Sequence, residues 1–113
     1  NNSIVFTLQH SQEKFLFMGD AELPLEEGLI KKYCATSTLT ICPALKSDYI
    51  KIGHHGSDSS SDEMFLEIVN PTKAIISVGK NTFGHPSFRV LKKLQRVGAE
   101  VLRTDRMGDI TLF

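Results

Sequence analysis

The chain has 113 residues, of which 41% are hydrophobic and 23% are charged, and its formal net charge is +0. This length and composition predict at most one folded domain and exclude a largely disordered chain. The neutral balance gives no basic signal typical of an autonomous nucleic-acid binder, and no apolar run approaches the roughly 20 residues that a membrane span needs.

Strands and helices are predicted to alternate along the chain. Runs rich in β-branched and aromatic residues predict strands over residues 4–9, 13–18, 48–53, 73–78, 100–104 and 109–113. Helical composition and spacing predict helices over residues 26–33, 60–69 and 87–97. Residues 10–12 predict a hairpin turn, and residues 34–47 a loop or weak strand. Ser60 with Glu63 predicts a capping box, and Gly98 a helix end.

The two cysteines carry little information about function. Cys34 and Cys42 are too few for a disulfide framework and lack the spacing of a zinc knuckle. We expect them to be ordinary small, partly buried residues, and a bridge between them remains open if the domain is extracellular. The chain opens without a methionine, which suggests a piece of a larger protein whose membrane anchor would lie elsewhere.

Polar residues collect where three of the predicted strands end. Asp20 follows the second strand, His54 and His55 follow the third, and His85 lies in the loop after the fourth. The carboxyl ends of strands in an α/β sheet form the usual crevice for a site, so these side chains are expected to share one crevice. Imidazole and carboxylate groups are ligands for zinc, manganese or iron.

Each of these residues also has an ordinary structural interpretation. Asp20 alone suits a helix cap, the pair His54-His55 suits a solvated turn, and His85 before a proline suits turn packing. The serines at 59–61 suit a helix cap and loop, and His10 in the hairpin turn is expected to be an ordinary surface histidine. Because these residues all follow predicted strands, a shared metal or phosphate site is favoured over a separate structural role for each one.

Four segments together resemble a known family. The segments are FLFMGDAE, YIKIGHHGSDSSS, AIISVGKNTFGHPSFRVLKKL and VLRTDRMGDITL. In this order they resemble the C-terminal half of the metallo-β-lactamase-like domain of the ComEC family of DNA-uptake proteins, over nearly the whole chain. The resemblance implies half of an αββα sandwich: a mixed sheet with helices on one face, as a single partial domain over residues 1–113.

The resemblance also implies roles for individual residues. Asp20 would bridge two divalent ions, zinc or manganese, and His54 would be the late histidine ligand. His85 would lie near the scissile phosphate as a catalytic residue.

Further residues would contact the substrate. His55 would face it, and Ser57 and Lys80 would hold phosphate oxygens. Asn2 would stand where other members carry a further ligand.

The chain departs from the family pattern in one respect. The H-x-H-x-D-H block is absent, because no two of its four histidines have His-x-His spacing. Most of one metal subsite and half of the sandwich are therefore missing. The free sheet face would normally pack on the missing N-terminal half. In the isolated chain it is expected to be exposed, covered by a second copy in a homodimer, or partly rearranged.

The expected function is that of a fragment. The parent would be a metal-dependent DNA phosphodiesterase or nuclease acting in DNA uptake during natural competence, with DNA as its partner, and the isolated chain would be inactive. The alternative is a non-catalytic DNA-binding or scaffolding part of an uptake channel, and a small-molecule hydrolase stays open because the fold hosts many reactions. The parent is expected in the cell membrane with this domain on the extracellular side, and the fragment itself to be soluble.

Overall fold

A five-stranded mixed sheet organises the chain in the computed structural model, which describes residues 4–34, 42–81 and 83–112. The strands are β1 (Phe6–His10), β2 (Glu13–Phe17), β3 (Tyr49–Lys51), β4 (Lys73–Ile76) and β5 (Glu100–Arg103). Their spatial order is the chain order; β1 is antiparallel to β2, and the other four strands are parallel. The α/β class and the mixed sheet are confirmed.

Helices connect the parallel strands. They are α1 (Leu23–Tyr33), α2 (Glu63–Val69), α3 (Phe88–Arg96) and a short α4 (Thr104–Met107) after β5. Helix α2 contacts both α1 and α3, so the three helices lie on the same face of the sheet, as predicted. Parallel strands in sequential order give this arrangement when their crossovers are right-handed. In the described part of the chain, no helix is long and apolar enough to cross a membrane.

The core lies between this face and the helices. Burial alternates along β4: Ala74 and Ile76 are buried, and Lys73 and Ile75 are only partly buried. This is the two-residue period of a strand. The inward residues of the sheet join α2 and α3 in one cluster that includes Leu16, Ile50, Ala74, Ile76, Phe65, Leu66, Val90 and Leu94.

The opposite face of the sheet carries stacked aromatic rings. Phe6 stacks on Phe17 with 4.7 Å between ring centroids, and Phe15 stacks on Tyr49 at the same distance. Phe6 remains 51% exposed. Residues of the C-terminal segment, Ile110 and Leu112, border a depression on this face together with the rings. The face is therefore apolar and only partly covered.

Two helix starts differ from the prediction. Helix α1 begins at Leu23, because Pro24 falls in the first turn, where its missing N–H has no intrahelical partner to lose. Helix α2 begins at Glu63 with Asp62 as its N-cap, and the Asp62 side chain makes no capping hydrogen bond. The capping box is wrong because the buried Ser60 hydroxyl lies 3.0 Å from the carbonyl oxygens of Gly53 and Ser57 instead.

Helix α3 agrees with the prediction at both ends. The Ser87 hydroxyl accepts a hydrogen bond from the Val90 N–H at 3.1 Å, and Gly98 has a φ of +81° just beyond the helix. The hairpin between β1 and β2 is confirmed as well.

The predicted strand over residues 109–113 is wrong for the described part, residues 109–112, which form no strand. The chain turns into α4 directly after β5 and turns again at Gly108, whose φ is +70°. The apolar residues Ile110 and Leu112 border a depression on the outer face of the sheet and do not extend its edge.

Cys34 and Cys42 form a disulfide. Both are buried, as expected, but their interpretation as ordinary unlinked residues is wrong, and the bridge left open by the sequence is present. The described helix α1 brings Cys34 to the start of the loop that the bridge closes. Residues 35–41 within that loop, and Asn2, lie outside the described residues, so the predictions made for them stay predictions.

Candidate functional site

The carboxyl ends of the parallel strands meet at one edge of the sheet, and the predicted site residues lie there. Asp20 follows β2, His54 follows β3, and His85 lies in the loop after β4. The His54 N–H donates to the Gly19 carbonyl at 2.9 Å, and the rings of His54 and His85 are 5.6 Å apart. The backbone therefore brings these three residues to the same edge of the sheet. Helix α1 takes Glu22, not Asp20, at its N-cap position.

The two adjacent histidines occupy an unusual backbone turn. Residues Gly53–Gly56 form a 3₁₀ turn in which His54 has φ 48° and His55 has φ 54°. Two successive non-glycine residues in the left-handed region are uncommon, and such conformations persist where the surrounding structure imposes them. Here Gly53 packs so closely on the preceding loop that a Cβ atom would lie 2.6 Å from the Ala21 carbonyl oxygen.

Glu22 holds His54. Its Oε2 lies 3.2 Å from His54 Nδ1, and the same oxygen accepts a hydrogen bond from the Ser59 hydroxyl. The Ser59 hydrogen bond, and then the contact with His54, lower the pKa of Glu22 below its ordinary value. A carboxylate on Nδ1 makes that nitrogen the donor and leaves Nε2 as the free lone pair, the arrangement seen behind metal-binding histidines.

Ser57 belongs to this same cluster. Its Oγ lies 3.0 Å from the Ser59 Oγ, on the side of the site where Glu22 lies. It does not border the pocket that contains Lys80. Its predicted contact with a phosphate oxygen stays a prediction.

A pocket of about 430 Å³ opens beside the histidines. It is bordered by His55, Ser77, Val78, Gly79, Lys80, Asn81, Phe83, His85 and Thr104. None of these described residues carries a carboxylate, so Lys80 gives the pocket a positive character. His55 Nδ1 lies 2.6 Å from the Ser77 carbonyl oxygen, which makes Nδ1 the donor and leaves Nε2 for a ligand.

Asn81 organises the loop that carries His85. Its side-chain amide donates to the carbonyls of Gly79 and His85, each at 2.9 Å. Its Oδ1 accepts from the N–H groups of Phe83 and His85, each at 3.0 Å. The loop is thus held by its own asparagine, so His85 is preorganised.

The histidine turn and this loop are joined directly. The Ser87 N–H donates to the Gly56 carbonyl at 2.8 Å, and a Cβ atom on Gly56 would lie 2.7 Å from the Pro86 Cβ. Close contact here requires the glycine.

Sequence reasoning missed two residues of the site. Two local features could have indicated them. Glu22 is an acidic residue two positions after Asp20, near the start of a helix, and Asn81 lies between two glycines after a strand. Neither signal identifies the partner, because Glu22 and His54 are 32 residues apart.

Comparison with known proteins identifies relatives. ComE operon protein 3 of Bacillus subtilis is 37% identical over 97% of this chain and 13% of its own length. Competence protein ComA of Neisseria gonorrhoeae is 36% identical over 82% of this chain and 12% of its length. This chain is homologous to a segment of the competence and DNA-uptake proteins.

A third relative of this competence family is Recombination protein 2 of Haemophilus influenzae, 32% identical over 97% of the chain and 13% of its own length. No family model matches the chain. The chain spans about one eighth of the length of these curated relatives.

The donors for a metal ion are few in this competence homologue. Within residues 4–34, 42–81 and 83–112, no group of three or more histidine, cysteine, aspartate or glutamate side chains is placed to hold an ion. Asp20 and His54, on neighbouring turns, are two donors, whereas a zinc site takes four ligands or three and a water. The described residues therefore do not form a complete metal site.

Proposed function

We propose that this chain is the C-terminal half of a metallo-β-lactamase-like domain that hydrolyses phosphodiester bonds of DNA during uptake. The observation that carries the proposal is the convergence of three imidazoles, from His54, His55 and His85, at one sheet edge. They lie beside a pocket that contains Lys80 and, among the described residues that border it, no carboxylate. Such a pocket suits an anionic phosphodiester, and the homology to competence proteins favours DNA as its source.

Each residue of the site would have its own role in the reaction. Lys80 would donate to the non-bridging phosphate oxygens, and His55, in its doubly protonated form, would donate to them from Nε2 while Nδ1 donates to the Ser77 carbonyl. His85, held by Asn81, would give a proton to the leaving oxygen, a step that general acids accelerate by about 10²–10⁴-fold. Ser57 would complete the phosphate contacts if the substrate reaches the cluster around Glu22.

A divalent ion, zinc or manganese, would supply an activated water in the complete domain. Asp20 and His54 would be the ligands from this half, and Glu22 would orient the imidazole of His54. The other ligands would come from an H-x-H-x-D-H block that this sequence lacks. The isolated chain should therefore hydrolyse no phosphodiester above background.

The aromatic sheet face would pack on the half-domain that contains this block, and a homodimer through the same face is the alternative. The disulfide supports an extracellular location for the domain, since such bonds persist in oxidising compartments. The parent would be anchored in the cell membrane, in line with its homology to competence proteins.

The test is hydrolysis of bis(p-nitrophenyl) phosphate, with manganese or zinc, by a protein in which this segment follows an H-x-H-x-D-H block. We expect Asp20→Ala and His54→Ala to abolish turnover, and His85→Ala to lower kcat by about 10²–10⁴-fold. His10→Ala, an exposed histidine on β1, is the matched control and should leave turnover within about twofold. Full turnover by the His54 and His85 variants would contradict the assignment.

The alternative is a non-catalytic DNA-binding or scaffolding part of an uptake channel. Metal analysis of the same longer protein decides between the two: bound ions in stoichiometric amount favour the enzyme, and none, with no turnover, favours the scaffold.

A further inference from the structure

Phe83 is an exposed aromatic residue at the border of the pocket. Its side chain is 79% exposed, although phenylalanine is usually buried. It lies in the loop between β4 and α3, and it borders the same pocket as Lys80 and His55. An aromatic ring beside a cationic group is a combination that proteins use to bind single-stranded nucleic acid.

The ring is presented by a backbone that is held in place. The Phe83 N–H donates to Asn81 Oδ1 at 3.0 Å, and the same oxygen accepts from the His85 N–H. Gly84, with a φ of +79°, makes the bend between Phe83 and His85. Because the N–H groups of Phe83 and His85 share one acceptor, binding a flat partner costs little additional ordering of the backbone at these two residues.

The neighbours of the ring match the parts of a nucleotide. The Phe83 ring lies 5.9 Å from the His85 ring with an angle of 33° between their planes, and His85 and Lys80 border the same pocket. A phosphate bound at His85 and Lys80 would place the attached sugar and base near Phe83. An aromatic face beside cations that track a phosphate backbone is the arrangement by which proteins hold unpaired bases.

We propose that Phe83 is a stacking platform for a nucleobase of single-stranded nucleic acid whose phosphate lies at His85 and Lys80. The inference rests on the proposed function and adds to it the form of the substrate. A duplex keeps the faces of its bases stacked on one another, so a strand must be unpaired to use this platform. Phe83 is thus a specificity-determining residue that selects single strands.

The chain has no tryptophan, so a single tryptophan placed at position 83 reports on its own surroundings. We would prepare Phe83→Trp and, as the matched control, Phe88→Trp. Phe88 is 71% exposed on α3 and does not border the pocket. Stacking of a base on the indole quenches its fluorescence, whereas a bound phosphate without a base does not.

Each variant of the isolated chain is titrated with an oligothymidylate of about eight nucleotides, with an abasic strand of equal length, and with a duplex. We expect the oligothymidylate to quench the tryptophan of Phe83→Trp at least about threefold more than that of Phe88→Trp, and the abasic strand and the duplex to cause no comparable quenching. Equal quenching in both variants, or quenching by the abasic strand, would overturn the proposal.

Affinity gives a second readout. By fluorescence anisotropy, Phe83→Ala should weaken binding of the oligothymidylate by about 5–150-fold, from the stacking contribution of one base, and leave the affinity for the abasic strand unchanged. Phe88→Ala should change neither. An equal loss for both strands in Phe83→Ala would show a structural role of the ring and refute stacking.

Failure of this inference and failure of the proposed function are distinguishable. Base-dependent quenching at position 83 without turnover by the longer protein would refute the phosphodiesterase and support the binding site. Turnover that depends on His54 and His85, without base-dependent quenching, would support the enzyme and refute the platform.

Discussion

Glu26 clamps the serine loop to helix α1, and removing it should destabilise the fold. The side chain is 1% exposed, and its two carboxylate oxygens accept hydrogen bonds from the N–H groups of Ser61 at 2.5 Å and Asp62 at 2.8 Å. Glu26→Ala leaves the buried Ser61 N–H and the partly buried Asp62 N–H without this acceptor. Each hydrogen bond to a charged group contributes about 1.5–3 kcal/mol, and relief of the buried charge offsets part of the loss, so we expect a net cost of about 2–4 kcal/mol.

The sign of the pH dependence follows from the pKa of Glu26. Burial raises this pKa above its ordinary value of 4.5, more than the two backbone hydrogen bonds lower it. The folded protein therefore binds this proton more tightly than the unfolded chain does. The stability from protonation is fully present below pH 4.5 and is lost as the pH rises through the raised pKa. The cost of Glu26→Ala should thus be larger near pH 4.5 than near pH ~8.

The assay is urea unfolding at both pH values, compared with Glu27→Ala. Glu27 is the adjacent exposed glutamate on the same helix, and its removal should change the free energy of unfolding by no more than about 0.5 kcal/mol. A Glu26→Ala cost below about 0.5 kcal/mol, equal to that of the control, would refute the clamp. A cost that is larger at the higher pH would refute the sign of the pKa shift.

Two further changes in stability are expected. Gly56→Ala forces a Cβ atom into contact with Pro86 at a φ of +80° and should destabilise the fold by about 2–4 kcal/mol. Gly28→Ala, on α1 with no atom near the new Cβ, should stabilise it by about 0.5–1 kcal/mol. Chemical denaturation measures both free energies of unfolding, and equal effects would contradict the close packing of Gly56 on Pro86. Ser87→Ala removes the N-cap hydrogen bond of α3 and should lower the free energy of unfolding by about 1 kcal/mol. Ser87→Thr keeps a capping hydroxyl and should retain most of that stability in the same experiment.

Local signals account for the parts of the fold that the sequence predicted well. Helix α3 has its N-cap serine and its terminal glycine within or next to the helix, so both ends were predictable. The histidines at the strand ends were predictable for a similar reason, because parallel strands bring their carboxyl ends to one edge.

Contacts between distant residues account for the failures. The start of α2 is supported by Glu26, which is 35 residues from Ser61, and a local capping box cannot reveal such a partner. The Glu22–His54 contact spans a similar distance along the chain. The segment after β5 has the alternation of a strand, but tertiary packing places it on the outer sheet face.

Zinc binding by the isolated chain tests most directly whether the carboxyl edge is half of a metal site. We predict that zinc shifts the backbone NMR signals of residues 19–21 and 53–57 at pH above ~7, with weak affinity, and much less at pH ~5.5, because protons compete with zinc for the imidazole nitrogens. His10 is the internal control and should not shift. Shifts at His10 as large as those at His54, or none at either segment, would contradict the metal site.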